Sequence, residues 1–138
     1  AIAAFCRFYL PEKNDWNNPY TPKSNVQKLA AQLMRDDLPE WNEEDHTVDY
    51  YYWYYGTLAM FQMGGNEWLM WNRRIKRILL KHQRQDVADK ETNFFGSWDP
   101  QPTKWGVRGG RVYATAVNCL TLEVYYRYPR AFGNKRTK

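Results

Sequence analysis

Three helical segments of this chain lack a polar face, and the two that lie between them each have one. The first, residues 1–10 (AIAAFCRFYL), is apolar on nearly every side until Pro11 and an Asn/Asp/Pro-rich stretch through Pro22 end it. The third, residues 48–63 (VDYYYWYYGTLAMFQM), carries aromatic or aliphatic residues all round and stops at Gly64 and Gly65. The fifth, residues 111–128, is apolar nearly all round until Pro129. By contrast, the second, residues 24–35, repeats Val26, Leu29, Ala30, Leu33 and Met34 at helical spacing and places Lys23, Gln27, Lys28 and Gln32 elsewhere. The fourth, with Asn66 as its cap, gathers Trp68, Leu69, Ile75, Ile78, Leu79 and His82 on one face, while Glu67, Arg73, Arg74, Lys76, Arg77 and Lys81 cover the rest. An ordinary bundle leaves every helix one wet face, so helices without one need an outer shell. The alternation predicts an all-α fold, a partial toroid of about five helices in an inner and an outer layer, as a single domain over residues 1–128 followed by a basic tail, 129–138. The first helix begins without an initiator Met or a cap, so the expectation is the C-terminal part of something longer. A part-ring leaves apolar flanks open to self-association.

The remaining composition narrows the function classes. Two cysteines, Cys6 and Cys119, sit in apolar runs with no CxxC or Cys/His spacing, which predicts buried free thiols and no disulfide framework, zinc ribbon or other metal site. No run of about 18 apolar residues occurs and no charged-then-apolar leader is present, so neither a membrane span nor a signal peptide is expected, and localisation stays open. The net charge of +5 is patchy: Arg73, Arg74, Lys76, Arg77 and Lys81 form one cluster and the tail another, while residues 35–49 are acidic. Trp71 beside the first cluster fits a nucleic-acid surface less well than a charged helix coat facing water, so no nucleic-acid partner is expected. Seven Trp and eleven Tyr bring large apolar area with polar tips, which suits a lined cavity or rim.

Before the third helix, Thr47 is the expected N-cap, with Asp49 in the first turn against the positive helix end. His46 among Glu43, Glu44 and Asp45 reads as a solvated cap region, not a metal or acid/base centre, and His82 as packed or favourable to a helix C-terminus. Residues 84–110 form a Gly/Pro/Trp-bearing loop of a length that is usually functional or an ordered excursion. No Ser/His/Asp order, phosphate-cradling Gly loop or Cys/His dyad is visible, so no catalytic residue and no cofactor is assigned.

Four motifs carry a family resemblance: Asp49-Tyr-Tyr-Tyr-Trp-Tyr-Tyr-Gly56, its continuation LAMFQMGG, GSWDP at Gly96–Pro100, and GGRVYATAVNCLTLEVYYRY at Gly109–Tyr128. Together they resemble the prenyltransferase/squalene-oxidase repeat proteins of planctomycete type. The wider superfamily of squalene-hopene cyclases, protein prenyltransferase β subunits and macroglobulin thioester domains implies an α/α toroid. Its chemistries are not matched here. The DxDD acid motif of the cyclases and the Cys-Gly-Glu-Gln of the thioester domains do not occur, and Tyr52 stands where the prenyltransferases place a zinc-binding His. The repeat is similar to the cyclase QW motif, in which a Gln at a helix end ties to a G-x-W turn. Gln83 or Gln85 with Gly96-Ser97-Trp98 fit that pattern.

In a toroid the starts of the inner helices gather at one mouth, which would cluster Asp49, Tyr50, Tyr51, Trp53, Trp98, Asp99, Trp105, Arg111 and Tyr113. One reading is an aromatic-rimmed ligand pocket with a carboxylate and a guanidinium as polar handles; the other is a packed plug of inner-helix aromatics. The function expected is a non-catalytic binding or interaction scaffold for an apolar, isoprenoid-like molecule or a protein partner. The alternative is an isoprenoid-processing enzyme, of terpenoid cyclase or prenyltransferase type, whose acid motif lies outside this segment.

Overall fold

The computed structural model describes residues 1–13, 15–42, 44, 47–86, 88, 90, 92–101 and 104–129. Of the described residues 62% are helical, in five helices beside a two-stranded ribbon. In order these are α1 (Ile2–Arg7), β1 (Pro11–Glu12), β2 (Asp15–Pro19), α2 (Asn25–Asp36), α3 (Tyr50–Met63), α4 (Gly65–Lys81) and α5 (Lys104–Arg127). The basic tail from Arg130, together with Glu43, Asp45 and His46, lies outside the described residues.

The helix without a polar face that matters most is α3, which packs against α1, α2, α4 and α5. Tyr50, Trp53 and every residue from Gly56 to Gln62 are buried. Gly56 is where α4 comes nearest: a Cβ there would stand 2.5 Å from Trp71 Cζ2. Trp71, fully buried, donates its indole N–H to Thr57 Oγ1 at 2.9 Å, and Thr57 in turn donates to the Trp53 carbonyl at 2.7 Å. A missing side chain on α3 thus admits the largest side chain of α4, and a hydroxyl satisfies its one polar atom.

The other two helices expected to be covered on all sides are not. Of α1 only Ala4 is buried, with Phe8 just past its end, while Ile2, Ala3 and Cys6 are exposed. On α5, Ala114, Val117, Asn118, Thr121 and Val124 are buried, whereas Val112 is 83% and Tyr126 81% exposed. Both thiols are consequently exposed, contrary to expectation, because each cysteine falls on the uncovered side of its helix.

Five further expectations are corrected. The stretch after α1 pairs as an antiparallel ribbon, Pro11 opposite Pro19 and Glu12 opposite Asp15. On α2 the buried residues are Gln27, Ala31 and Met34, and Leu29 and Leu33 face out. The buried Gln27 amide donates to the Ala4 carbonyl at 2.9 Å. On α4 Leu69 is exposed and Trp71 takes the centre of the buried face, so the basic cluster has no Trp71 beside it at the surface. Helix α5 begins at Lys104, seven residues before Arg111, and continues through Gly110, whose φ of 63° and ψ of −162° put a kink inside it. Gly64, between α3 and α4, has almost the same geometry, φ 69° and ψ −160°, and serves as cap to α4 in place of Asn66. L-residues with a Cβ avoid this region of backbone space.

Candidate functional site

The loop after α4 is tied down by hydrogen bonds that begin at a glutamine. Gln83 Nε2 donates to the Gly96 carbonyl at 2.8 Å, while the backbone pairs Arg84 N–H with Ser97 O and Gly96 N–H with Arg84 O. Of the two glutamines considered for this role Gln83 fills it, and Gln85 turns back to the Leu80 carbonyl. Trp98, 1% exposed, then donates Nε1–H to the Leu79 carbonyl at 2.8 Å, a carbonyl in the last turn of α4 that also accepts from the His82 N–H at 3.2 Å. Its backbone N–H reaches Thr115 Oγ1 on α5 at 3.3 Å.

Asp99 follows as a hub. Its carboxylate pairs with Arg111, and with Arg84 at 3.2 Å, while Arg111 also donates to Ser97 Oγ at 2.9 Å and lies 4.1 Å over the Phe94 ring. The Tyr50 hydroxyl donates to the Asp99 carbonyl at 3.1 Å. Each pair is partly open to solvent and individually weak. Their joint effect is positional: the Arg111 guanidinium is committed on one side to a carboxylate and on the other to a ring.

At the start of α3, Asp49 is itself the N-cap, its Oδ1 accepting from Tyr52 N–H at 3.0 Å. Thr47, expected there, instead closes the preceding loop, accepting from Asn42 N–H at 3.1 Å and donating to the Glu40 carbonyl at 3.0 Å. Tyr52 donates its hydroxyl to the Asp37 carbonyl at 2.8 Å. Burial, then the negative charges of Asp37 and Asp49, hold the Tyr52 phenol well above its ordinary pKa.

The nine residues grouped from the sequence therefore separate. Tyr50, Trp53 and Trp98 are buried in the core, Asp99 and Arg111 are paired, and Asp49 caps. Tyr51, Trp105 and Tyr113 remain as a partly exposed aromatic face, with the Tyr51 and Trp105 rings 5.9 Å apart. Tyr55, one turn along from Tyr51 and 4.9 Å from it, joins them; its i, i+4 spacing was the signal that could have added it. The hydroxyl of Tyr113 is buried yet has no hydrogen-bond partner among the described residues. Burial, then Asp49, Tyr51 and Tyr55, raises the Tyr113 pKa, and burial with the Tyr51 neighbour raises that of Tyr55, so both phenols are neutral at ordinary pH. This face offers ring surfaces, hydroxyls and one carboxylate.

A separate cavity of about 420 Å³ lies beside the start of α3, lined by Asp37, Leu38, Glu40, Thr47, Asp49, Tyr52 and Trp53. A smaller one of about 230 Å³ opens between α1 and α2. Trp98, Asp99, Trp105, Arg111 and Tyr113 line neither. Among the described residues no three His, Cys, Asp or Glu side chains are grouped to hold a metal ion, and no helix is long and apolar enough to cross a membrane. His82 stacks flat on Trp41, ring centroids 3.8 Å apart. No family model matches the chain, and comparison with curated proteins and with solved structures found no match.

Proposed function

We propose that this chain is a non-catalytic binding module of α/α-toroid type, related to the prenyltransferase/squalene-oxidase repeat proteins, whose ligand surface is the tyrosine-rich face where α3 and α5 begin. The observation that carries the reading is the partly exposed cluster of Tyr51, Tyr55, Trp105 and Tyr113, with the buried, unpartnered Tyr113 hydroxyl beside it. Aromatic rings left at a surface with a polar atom to satisfy suit an apolar ligand bearing a hydroxyl. The toroid reading draws support from the packing of α1 and α5 against α3, from the contact of α2 with α4, and from the tie of Gln83 to the Gly96-Ser97-Trp98 turn.

The ligand is an uncharged isoprenoid-like molecule. Arg111 is committed to Asp99, to Ser97 and to the Phe94 ring, and Asp49 sets a negative charge near Tyr113, so an anionic head would have to compete with Asp99 for the guanidinium. Titration of tryptophan fluorescence with farnesol and with farnesyl diphosphate is the test. Farnesol is expected to give a saturable change that Tyr51→Ala or Trp105→Ala weakens at least fivefold and Arg111→Ala does not, with the diphosphate binding more weakly. No saturable change with either compound overturns the ligand assignment.

A further inference from the structure

The outward side of α4 mixes cations of one sign with leucines. Leu69, Arg73, Lys76, Arg77 and Leu80 fall within about 100° of the helix circumference at 3.6 residues per turn, opposite the buried Trp71, Ile75 and Ile78. Leu69 is 61% and Leu80 49% exposed; they stand in the middle of that arc, with Lys76 on one side and Arg73 and Arg77 on the other. Glu67, the one acidic residue of α4, lies outside the arc and is held by Arg35 of α2 at 3.5 Å, while Arg74 turns to the Pro39 carbonyl at 2.8 Å. Arg73, Lys76, Arg77 and Lys81 have no carboxylate partner among the described residues. The face continues onto α5, where the Lys76 ammonium lies 5.8 Å from the Tyr125 ring and that ring 4.3 Å from Tyr126, both tyrosines being exposed.

We propose that this face docks α4 lengthwise on the surface of an anionic lipid bilayer. The inference is independent of the tyrosine-rich face where α3 and α5 begin. Charge selects the partner's sign: four unpaired cations lie between residues 73 and 81 with no carboxylate among them, the pattern that anionic headgroups attract. A coat that only faces water carries both signs, as the Glu123–Arg127 pair of α5 does. The leucines select the partner's kind. Set between the cations, they reach past the phosphates to the edge of the hydrocarbon, whereas on a nucleic acid the same side chains would be pressed against charged phosphates and lose water for nothing. Tyr125 and Tyr126 agree, since an amphipathic ring settles at headgroup depth. Leu69 and Lys81 are ~18 Å apart along the axis at 1.5 Å per residue, so the contact is a straight run suited to a flat target.

The test is co-sedimentation of the 138-residue chain with vesicles of phosphatidylcholine alone and of phosphatidylcholine mixed with phosphatidylserine. The chain should partition onto the mixed vesicles only, and release at ~1 M salt, where the screening length falls to ~3 Å. Arg73→Glu with Arg77→Glu should lower the partition about twentyfold or more, each cation on an anionic surface being worth roughly fivefold. Lys23→Glu with Lys28→Glu makes the same change of charge at exposed positions beside and on α2, and should lower it less than about threefold. Leu69→Ser with Leu80→Ser leaves the charge untouched, yet should lower it about fivefold or more, because the leucines are the part that enters the bilayer. Circular dichroism checks that each pair of exposed substitutions keeps the fold. Equal partition onto both vesicle types, an equal loss from the Lys23 and Lys28 pair, or indifference to the leucine pair would each overturn the docking. So would tighter binding to duplex DNA than to the mixed vesicles at the same salt.

Discussion

Tyr54 shows how a single hydroxyl couples this fold to solvent conditions. It lies 3.4 Å from the hydroxyl of Tyr128, and burial, together with that hydrogen bond, pushes its pKa up to about 12 from an ordinary 10. A phenol whose folded-state pKa exceeds its unfolded value must lose its proton more readily on unfolding. Its stabilising contribution is therefore whole below about pH 10 and is lost as the pH rises toward 12. Tyr9, Tyr52, Tyr55, Tyr113 and Tyr125 are shifted in the same direction, each chiefly by burial, and add to the effect. Denaturation midpoints measured between pH 8 and 11.5 should fall steeply above pH 10, and Tyr54→Phe should make the decline shallower. A midpoint flat to pH 11.5 would contradict the assignment.

Helices separate into those whose environment could be read from their residues and those whose environment depends on a partner. For α3 the run of apolar residues with no wet face, ending at a Gly pair, left burial as the only outcome. For α2 the apolar stripe is only partly turned inward: Met34 is buried and Val26 and Ala30 are half-buried, but Leu29 and Leu33 face out while Gln27, bonded to the Ala4 carbonyl, and the small Ala31 are buried, and neither of these registers in a hydrophobic pattern. The start of α5 was missed since Gly109-Gly110 reads as a boundary, while the chain passes through it with a kink. In the candidate site the aromatic residues were legible by type. The commitment of Arg111 to Asp99, Ser97 and Phe94 was not, since it joins a loop and a helix whose relative placement no local pattern encodes. Inside α5 a buried Asn118 has neither amide atom paired among the described residues. Leaving such groups unsatisfied costs about 1–3 kcal/mol. Asn118→Leu, close in volume, is expected to raise the urea midpoint, and a drop would mean that the amide has a role in the native packing.

Across the whole molecule, the loop after α4 acts as a strap that ties α4 to α5 and α3. Trp98 reaches Leu79 at the end of α4 and Thr115 on α5, and Asp99 gathers Arg84, Arg111 and Tyr50 from the loop, α5 and α3. Removing the indole deletes both a large buried ring and the bond to α4. Trp98→Ala is expected to cost about 3–5 kcal/mol and to speed amide exchange through the loop and the α5 kink. The same protocol on Leu69→Ala, at an exposed position, should leave exchange unchanged. Equal acceleration everywhere would show global loosening and argue against a local strap.

The two joints at Gly64 and Gly110 carry a meaning that lies in handedness. Inverting the signs of φ 69°, ψ −160° and of φ 63°, ψ −162° gives an extended conformation that every L-residue accepts with ease. The chain at these two points is, in effect, a short stretch of mirror-image polypeptide. Ribosomal synthesis has one building block able to stand there, so both bends are closed to every other encoded side chain. A D-amino acid placed chemically at either position would meet its own preferred geometry and lose less freedom on folding than the glycine it replaces.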